Sequence, residues 1–532
     1  MFVLIHEDIQ LLPPESSNNA DFIKCRRHTQ AHVGYHTLNF STDNCCLNSQ
    51  SANQKWWTRN ESRISSPMTV QRIRDPLHNL IEFKADSELE NNLWRVLQTR
   101  PFQRLRRVKQ LGFSELVYPG ASHTRFAHSV GVFHTARQLM EVVRSAGPRK
   151  DSRENCALAA ALVHDLGHGP FSHAFETVGK RLSLKLADHE HVSDLLIRDG
   201  EVADILNEMG SGFAIDVADM VKKEGKITVH NAVVSSQFDA DRLDYMRRDR
   251  LMSGSQHAAI DFEWLIANLE IASIPTGVDD EQTGTVDTFV IGPKAIHAAE
   301  AYVLGLFQLY PTVYFHKTTR GAEKIFTELL IRIVHLTRDE SIEQIGLPVQ
   351  HPLVQFARDP ENLDIALCLD DSVVWGALSL MAEAKDNLIR SFALRLRDRK
   401  LFKCVDIRAR ISHEFDPEST GDIEKKAKIE TCCAKVNEKL TEWNQRESGE
   451  IHRILVDEAE RSPYKDGAGS IGPTERINVR TDGGKLVDLK QRSRVVANLD
   501  EFKLFRAYHD PGDLDALSTI NAIIQGEVQA CH

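Results

Sequence analysis

Between about residues 68 and 335 apolar side chains recur at helical spacing, and no other feature of the sequence narrows its fold as much. Asn91 to Leu111, Thr124 to Ala146, Asn155 to Leu166, His189 to Ile197 and Ile296 to Leu336 all carry the pattern, so this part has to bury its apolar stripes as packed helices. Leu269 to Ile274 and Thr288 to Ile291 flank a stretch rich in Gly and Asp and read as a small, peripheral hairpin with a long loop. After about residue 345 the texture turns mixed. Phe402 to Ile411, Ile451 to Val456, Arg476 to Arg480 and Lys485 to Leu489 are strand-like, and Glu424 to Trp443 reads as a charged helix. The fold class expected is mainly α, a helical core with a smaller α+β C-terminal lobe. The Gly-rich Lys465 to Gly472 stretch is an ordinary loop, since no Gly-Lys-Ser/Thr follows it.

A chain of 532 residues exceeds one ordinary core. Three segments are expected: an irregular extension over 1–67, a catalytic domain over 68–340 and the mixed lobe over 341–532. The extension is rich in Asn, Ser and His with poor periodicity, and reads as disordered or as sequence upstream of a true start at Met68. Its Cys25, His28, His32 and His36 are spaced like ligands on successive turns, but no second pair follows at zinc-finger spacing. The net charge of -11 argues against nonspecific attraction of the whole surface to nucleic acid or anionic membrane, while leaving room for a local basic groove. Neither a long apolar run nor a signal peptide is present, so the cytoplasm is the expected location, with no membrane partner. Nine scattered cysteines do not form a disulfide framework, and reduced thiols are expected.

Chemistry concentrates in Ala161-Leu-Val-His164-Asp165-Leu-Gly-His168-Gly-Pro-Phe-Ser-His173-Ala-Phe-Glu176, where metal-competent side chains break the end of an apolar helix. Imidazole and carboxylate both suit borderline divalent ions. His128 and Asp241, from two other expected helices, bring the set to four and leave positions for water and substrate on an octahedral ion. Any one of these residues alone is better explained as a satisfied core or capping group. Gly167, Gly169 and Pro170 change that weight, because they let backbone and ligand approach closely behind the His-Asp pair. The ion expected is manganese, iron, cobalt, nickel, zinc or magnesium, and its role is to lower the pKa of a bound water so that it becomes a nucleophile.

His128, then His164-Asp165, then Asp241 resembles the H…HD…D signature of the HD superfamily. Asp75-Pro76-Leu77-His78, Phe102-Gln103-Arg104-Leu105-Arg106, Lys109-Gln110-Leu111-Gly112, Pro119-Gly120-Ala121-Ser122-His123 and Arg125-Phe126 through Gly131-Val132 are similar to its deoxynucleoside-triphosphate triphosphohydrolase branch. The resemblance is strong over roughly 70–335 and weak over the later lobe to Tyr508. It implies an HD-domain helical core and release of deoxynucleoside and triphosphate after metal-activated water attacks the α-phosphorus. It also implies that His189 protonates the leaving oxygen, that Glu176 orients it in place of the usual aspartate, and that His168 and His173 line the phosphate side. Arg125, Arg242, Tyr245, Asp249 and Lys317 match positions touching phosphates or deoxyribose, with Gln110 and Leu111 closing around the sugar. Arg242 replaces a common lysine.

Lys317, Arg320 and Lys324 fall at i, i+3 and i+7, so one helical face presents three positive charges. Leu306, Pro311 and Thr312 stand where animal relatives carry arginines, which weakens recognition of a terminal phosphate. Gln98 replaces an acidic residue that reads an activating guanine nucleotide, so GTP activation is not expected. The resemblance implies a nucleotide substrate and a homo-oligomer. Competing readings are a phosphohydrolase for mononucleotides or cyclic nucleotides, a nuclease or single-stranded nucleic-acid-binding protein, and a regulatory nucleotide-binding module without turnover.

Overall fold

The computed structural model describes residues 69–147, 150–225, 227–276, 284–415, 422–447, 453–462, 464 and 476–531. The expectations for 1–67, including Cys25, His28, His32 and His36, and for the 465–472 loop lie outside them. Seven helices build the site: α1 (Arg125–Ala146), α2 (Asp151–Val163), α3 (His173–Leu182), α4 (His189–Arg198), α5 (Ala240–Ser253), α6 (Ile296–Leu309) and α7 (Lys317–Arg338). From Cys156 to Val163 every residue of α2 is buried, as its all-apolar surface requires. Helix α1 packs between α2 and α5, burying Phe126, Val130, Phe133, Leu139 and Met140.

Two expected helices are interrupted, in each case at a proline. The Asn91 to Leu111 stretch divides into Glu88–Val96 and Arg100–Arg104, with Pro101 in the first turn of the second piece, where its missing N–H costs nothing. The Ile296 to Leu336 stretch breaks at Pro311 into a wide turn, Tyr310–Tyr314, closed by the Phe315 amide donating to the Tyr310 carbonyl at 2.7 Å. Among the helices that the periodicity does not anticipate, Pro352–Arg358, Asp371–Met381 and Asn387–Arg397 join the same core through Leu353, Phe356, Leu378 and Phe392.

At the N-terminal side β1 (Gln71–Asp75) and β2 (Asn79–Phe83) form an antiparallel hairpin. Strands β3 (Leu269–Thr276) and β4 (Gly284–Ile291) pair as expected, in the register Leu269↔Ile291. Their placement is not peripheral, since Val290 and Ile291 are fully buried. Further along come β5 (Lys403–Asp406), α8 (Asp422–Glu447), β6 (Ile454–Arg461), β7 (Asn478–Arg480), β8 (Leu486–Asp488), β9 (Phe502–His509) and α9 (Leu514–Cys531). Strand β7 runs parallel to β4 and carries β8, making a four-stranded sheet, while β5, β9 and β6 form an antiparallel sheet of three. Phe402 to Ile411 is only half strand: the Asp406 carboxylate accepts from the Ala409 amide at 3.0 Å and caps a helix, Ile407–Glu414. That helix, α8, α9 and β9 share a second apolar cluster around Ile407, Val436, Leu440, Phe505 and Ile520.

Asp457 of β6 joins this lobe to α7. Its carboxylate is fully buried between the Arg320 guanidinium, Nε at 3.0 Å, and Lys324 Nζ at 3.1 Å. The expected positive stripe on α7 is therefore spent on the lobe at two of its three positions, leaving Lys317 exposed. Among the described residues no helix is long and apolar enough to cross a membrane.

Candidate active site

The apolar run of α2 ends at Val163, and the chain turns through His164, Asp165 and the following glycines while staying largely buried. His128 projects from the first turns of α1 and is fully buried. Its Nε2 lies 3.0 Å from Asp241 Oδ1 and 3.7 Å from Asp165 Oδ2, while Nδ1 lies 2.9 Å from Asp244 Oδ2. His164 Nε2 is 3.3 Å from Asp165 Oδ1 and 3.7 Å from Asp241 Oδ1, and its Nδ1 faces the Ala161 carbonyl at 3.0 Å. His128, His164 and Asp165 are therefore near enough to share one ion, and Asp241 reaches both histidines. Two features suit a divalent cation there. The His164 Nε2 is a buried nitrogen without a hydrogen-bond partner, and the donors are two imidazoles and two carboxylates. The field is strongly negative: burial alone would depress His128, yet Asp241 and Asp244 outweigh it and hold the imidazole up to about 10.

Asp244 was not singled out from the sequence. It sits one turn beyond Asp241 on α5, fully buried, and accepts from His128, from His78 Nε2 at 2.7 Å and from Arg248 Nε at 2.8 Å. Arg248 is in turn held by Asp75 at 2.7 Å. A carboxylate on the far nitrogen of an imidazole fixes its tautomer and raises its basicity, so Asp244 is placed to aim His128 at an ion bound beside Asp241. Gly131 makes the approach possible, since a Cβ there would run into the Asp244 and Arg248 side chains.

A second cluster adjoins the first. His168 Nε2 is 3.4 Å from Asp165 Oδ1, and its ring stacks on His189 with centroids 3.9 Å apart and planes 11° from parallel. Glu176 Oε1 lies 2.6 Å from His189 Nδ1, and its carboxylate faces His173 Nδ1 at 3.2 Å. His168, Glu176 and His189 are near enough to share an ion, but imidazole lone pairs lie in the ring plane, and two stacked rings cannot both aim at one cation. The geometry suits proton handling. Burial lowers the His189 pKa, the Glu176 carboxylate outweighs it, and the net shift is upward. Burial with the nearby Arg125 and His189 charges drives His168 well below the ordinary histidine range, so it faces His189 as a neutral ring.

The turn carrying these groups is strained and braced. Phe171 and Ser172 both adopt positive φ, 54° and 51°. The Asp371 carboxylate, from one of the unanticipated helices, accepts from the Phe171 amide at 2.8 Å and the Lys109 amide at 2.9 Å, and burial pushes its pKa up to about 7. Arg125 donates from Nε to Ser172 Oγ at 2.8 Å and from its fork to Asp165.

The residues expected to touch substrate are held with unequal freedom. Gln110 keeps a buried Oε1 without a partner, beside Leu111. Arg242 donates to Gln237 Oε1 at 3.1 Å and lies 3.4 Å from Asp239. Tyr245 and Tyr314 sit edge to face, 6.2 Å between centroids. Both Asp249 oxygens are occupied, by His123 Nε2 at 2.8 Å and the Tyr314 hydroxyl at 2.9 Å. His173 is largely exposed.

Residues 125–249 match the family model described as HD domain, and residues 280–347 match the HD associated region. An uncharacterized protein of Bacillus subtilis, YwfO, is 34% identical over 339 residues, which are 63% of this chain and 71% of that protein. A Dictyostelium discoideum protein named deoxynucleoside triphosphate triphosphohydrolase SAMHD1 homolog is 27% identical over 357 residues, 65% of this chain and 62% of the relative. In fold, a phosphohydrolase from Bacteroides thetaiotaomicron is similar at a TM-score of 0.62 and 24% identity, covering 83% of this chain and 100% of that one.

Proposed function

This chain belongs to the HD-domain phosphohydrolases, in the dNTPase-like family, and is a hydrolase; from that premise we propose that it cleaves deoxynucleoside triphosphates to deoxynucleoside and intact triphosphate. The observation that carries the reading is the contact between its two clusters. The four-ligand set and the His189–Glu176 pair share the Asp165–His168 edge at 3.4 Å, so a reacting phosphate and a proton donor fit side by side. His128, His164, Asp165 and Asp241 would hold a divalent cation, which would supply a Lewis acid and a water of lowered pKa.

The chain's own residues do the rest. Arg125, already aimed at Asp165, offers its fork to phosphoryl oxygens. Glu176 occupies His189 Nδ1, which leaves Nε2 to give its proton to the departing 5′ oxygen. His168 stacks on that ring as a neutral neighbour and keeps it oriented, with His173 at the phosphate-facing rim. Gln110 Oε1, buried and unpartnered, suits a sugar hydroxyl, while Leu111 and Tyr245 close the space that a 2′-hydroxyl needs. Asp249 acts through Tyr314, which it holds in place, and Arg242 and Lys317 take the polyphosphate tail.

The test is to incubate metal-reconstituted protein with mixed nucleotides and to identify every product by mass. Deoxynucleoside plus triphosphate, with deoxynucleotides consumed fastest, is expected. Turnover of monophosphates, cyclic nucleotides or oligonucleotides in preference to triphosphates overturns the substrate assignment.

A further inference from the structure

A cation stands beside the Tyr310 turn in an unexpected place. The face of α6 leading into the Tyr310 turn is neutral there, because Leu306, Pro311 and Thr312 carry no charge. The C-terminal lobe fills the gap. Arg461, the last residue of β6, donates from Nε to the Tyr310 hydroxyl at 3.1 Å, with its guanidinium 5.8 Å from the Tyr310 ring centroid. Tyr310 packs against Tyr314 at 5.5 Å, and Tyr314 meets Tyr245, so one tyrosine cluster runs from Arg461 toward the sugar side of the site.

Arg461 and Arg242 are near enough for their charges to act on each other, and Tyr245 acts on Arg461 as well. Arg242 has a carboxylate neighbour in Asp239, whereas among the described residues no carboxylate pairs with Arg461, which stays exposed. Two guanidinium groups within electrostatic reach of each other favour an anion whose several oxygens can lie between them. A triphosphate tail has that chemistry.

Resting on the function proposed above, we infer that Arg461, supplied by the C-terminal lobe, binds the terminal phosphates of the nucleotide together with Arg242. The lobe is then part of the substrate site. Arg461 touches the non-reacting end of the substrate, so its loss acts on binding more than on chemistry.

The experiment measures inorganic triphosphate binding by calorimetry and nucleotide kinetics on the metal-loaded full chain, for wild type, Arg461→Ala and Arg461→Lys. The expected result is about tenfold weaker triphosphate binding and a similarly raised KM for Arg461→Ala, with kcat nearly kept and partial rescue by lysine. Unfolding curves for the three proteins should coincide. If Arg461→Ala binds triphosphate as wild type does, or if wild type does not bind it, the inference is overturned. Wild type that binds triphosphate through Arg461 but releases no deoxynucleoside from deoxynucleotides leaves Arg461 in place and sinks the proposed reaction. Intact turnover with an Arg461-independent KM does the reverse.

Discussion

At the scale of single residues, the account depends on carboxylates that aim imidazoles. Asp244→Asn keeps the shape of the side chain but removes the charge behind His128, and the affinity for the divalent ion should fall about 10–100-fold, read by competition with a chelator. Unchanged affinity would remove Asp244 from the site. Glu176→Gln tests the other aiming carboxylate. The His189 pKa is raised on balance because the Glu176 charge outweighs burial, so the proton-donating form persists to higher pH in the wild type. Without that charge the alkaline limb of the kcat profile should move to lower pH while metal content is kept; a limb that stays put would contradict the pairing. The proposed ligand pair His164-Asp165 is legible in the sequence because it breaks an apolar helix immediately before Gly167, Gly169 and Pro170. Asp244 is not, although it sits three positions from Asp241. Nothing in the sequence tells which carboxylates of an acidic, arginine-rich helix face His128; only the packing of α5 on α1 does.

Among the elements, the long helical runs between Asn91 and Leu336 are recognisable by their apolar period, whereas their internal breaks and helices such as Asp371–Met381 and Leu514–Cys531 are not. Pro101 restarts a helix and Pro311 opens a wide turn, and neither break shows in the pattern because the flanking residues keep the period. The second break matters most, since the Tyr310–Tyr314 turn brings Tyr314 to Asp249 and Tyr310 to Arg461. A further element-level constraint lies at Gly167. Its amide donates to Ser193 Oγ at 2.9 Å, and that hydroxyl donates to the His164 carbonyl at 3.0 Å, binding α4 to the ligand turn. A Cβ at Gly167 would fall on the His189 carbonyl and within 2.5 Å of the Ser193 amide nitrogen. Gly167→Ala should therefore push α4 away, lower stability by about 1–3 kcal/mol and reduce turnover with the ion retained. A wild-type melting temperature in that variant would show that α4 has room to spare.

For the whole molecule, the C-terminal lobe was expected as a separate mixed unit, and its chemistry was invisible because it depends on which strand end meets which turn. Asp457 fixes that meeting. Its carboxylate is buried under Arg320 and Lys324, whose charges outweigh the burial that would raise its pKa. Asp457→Ala leaves two cations without their shared partner and should cost about 3–5 kcal/mol in urea unfolding. A loss below about 1 kcal/mol, the level of an exposed pair, would mean that the lobe is held by other contacts. The lobe, the strained ligand turn and the two adjoining clusters together serve one proposed event, water attacking the α-phosphorus while His189 protonates the 5′ oxygen. Turnover of a deoxynucleoside triphosphate in heavy-oxygen water, with mass analysis of both products, tests that event most directly. The account predicts the label in triphosphate and none in the deoxynucleoside; label in the 5′-hydroxyl, or in released monophosphate or pyrophosphate, would contradict it.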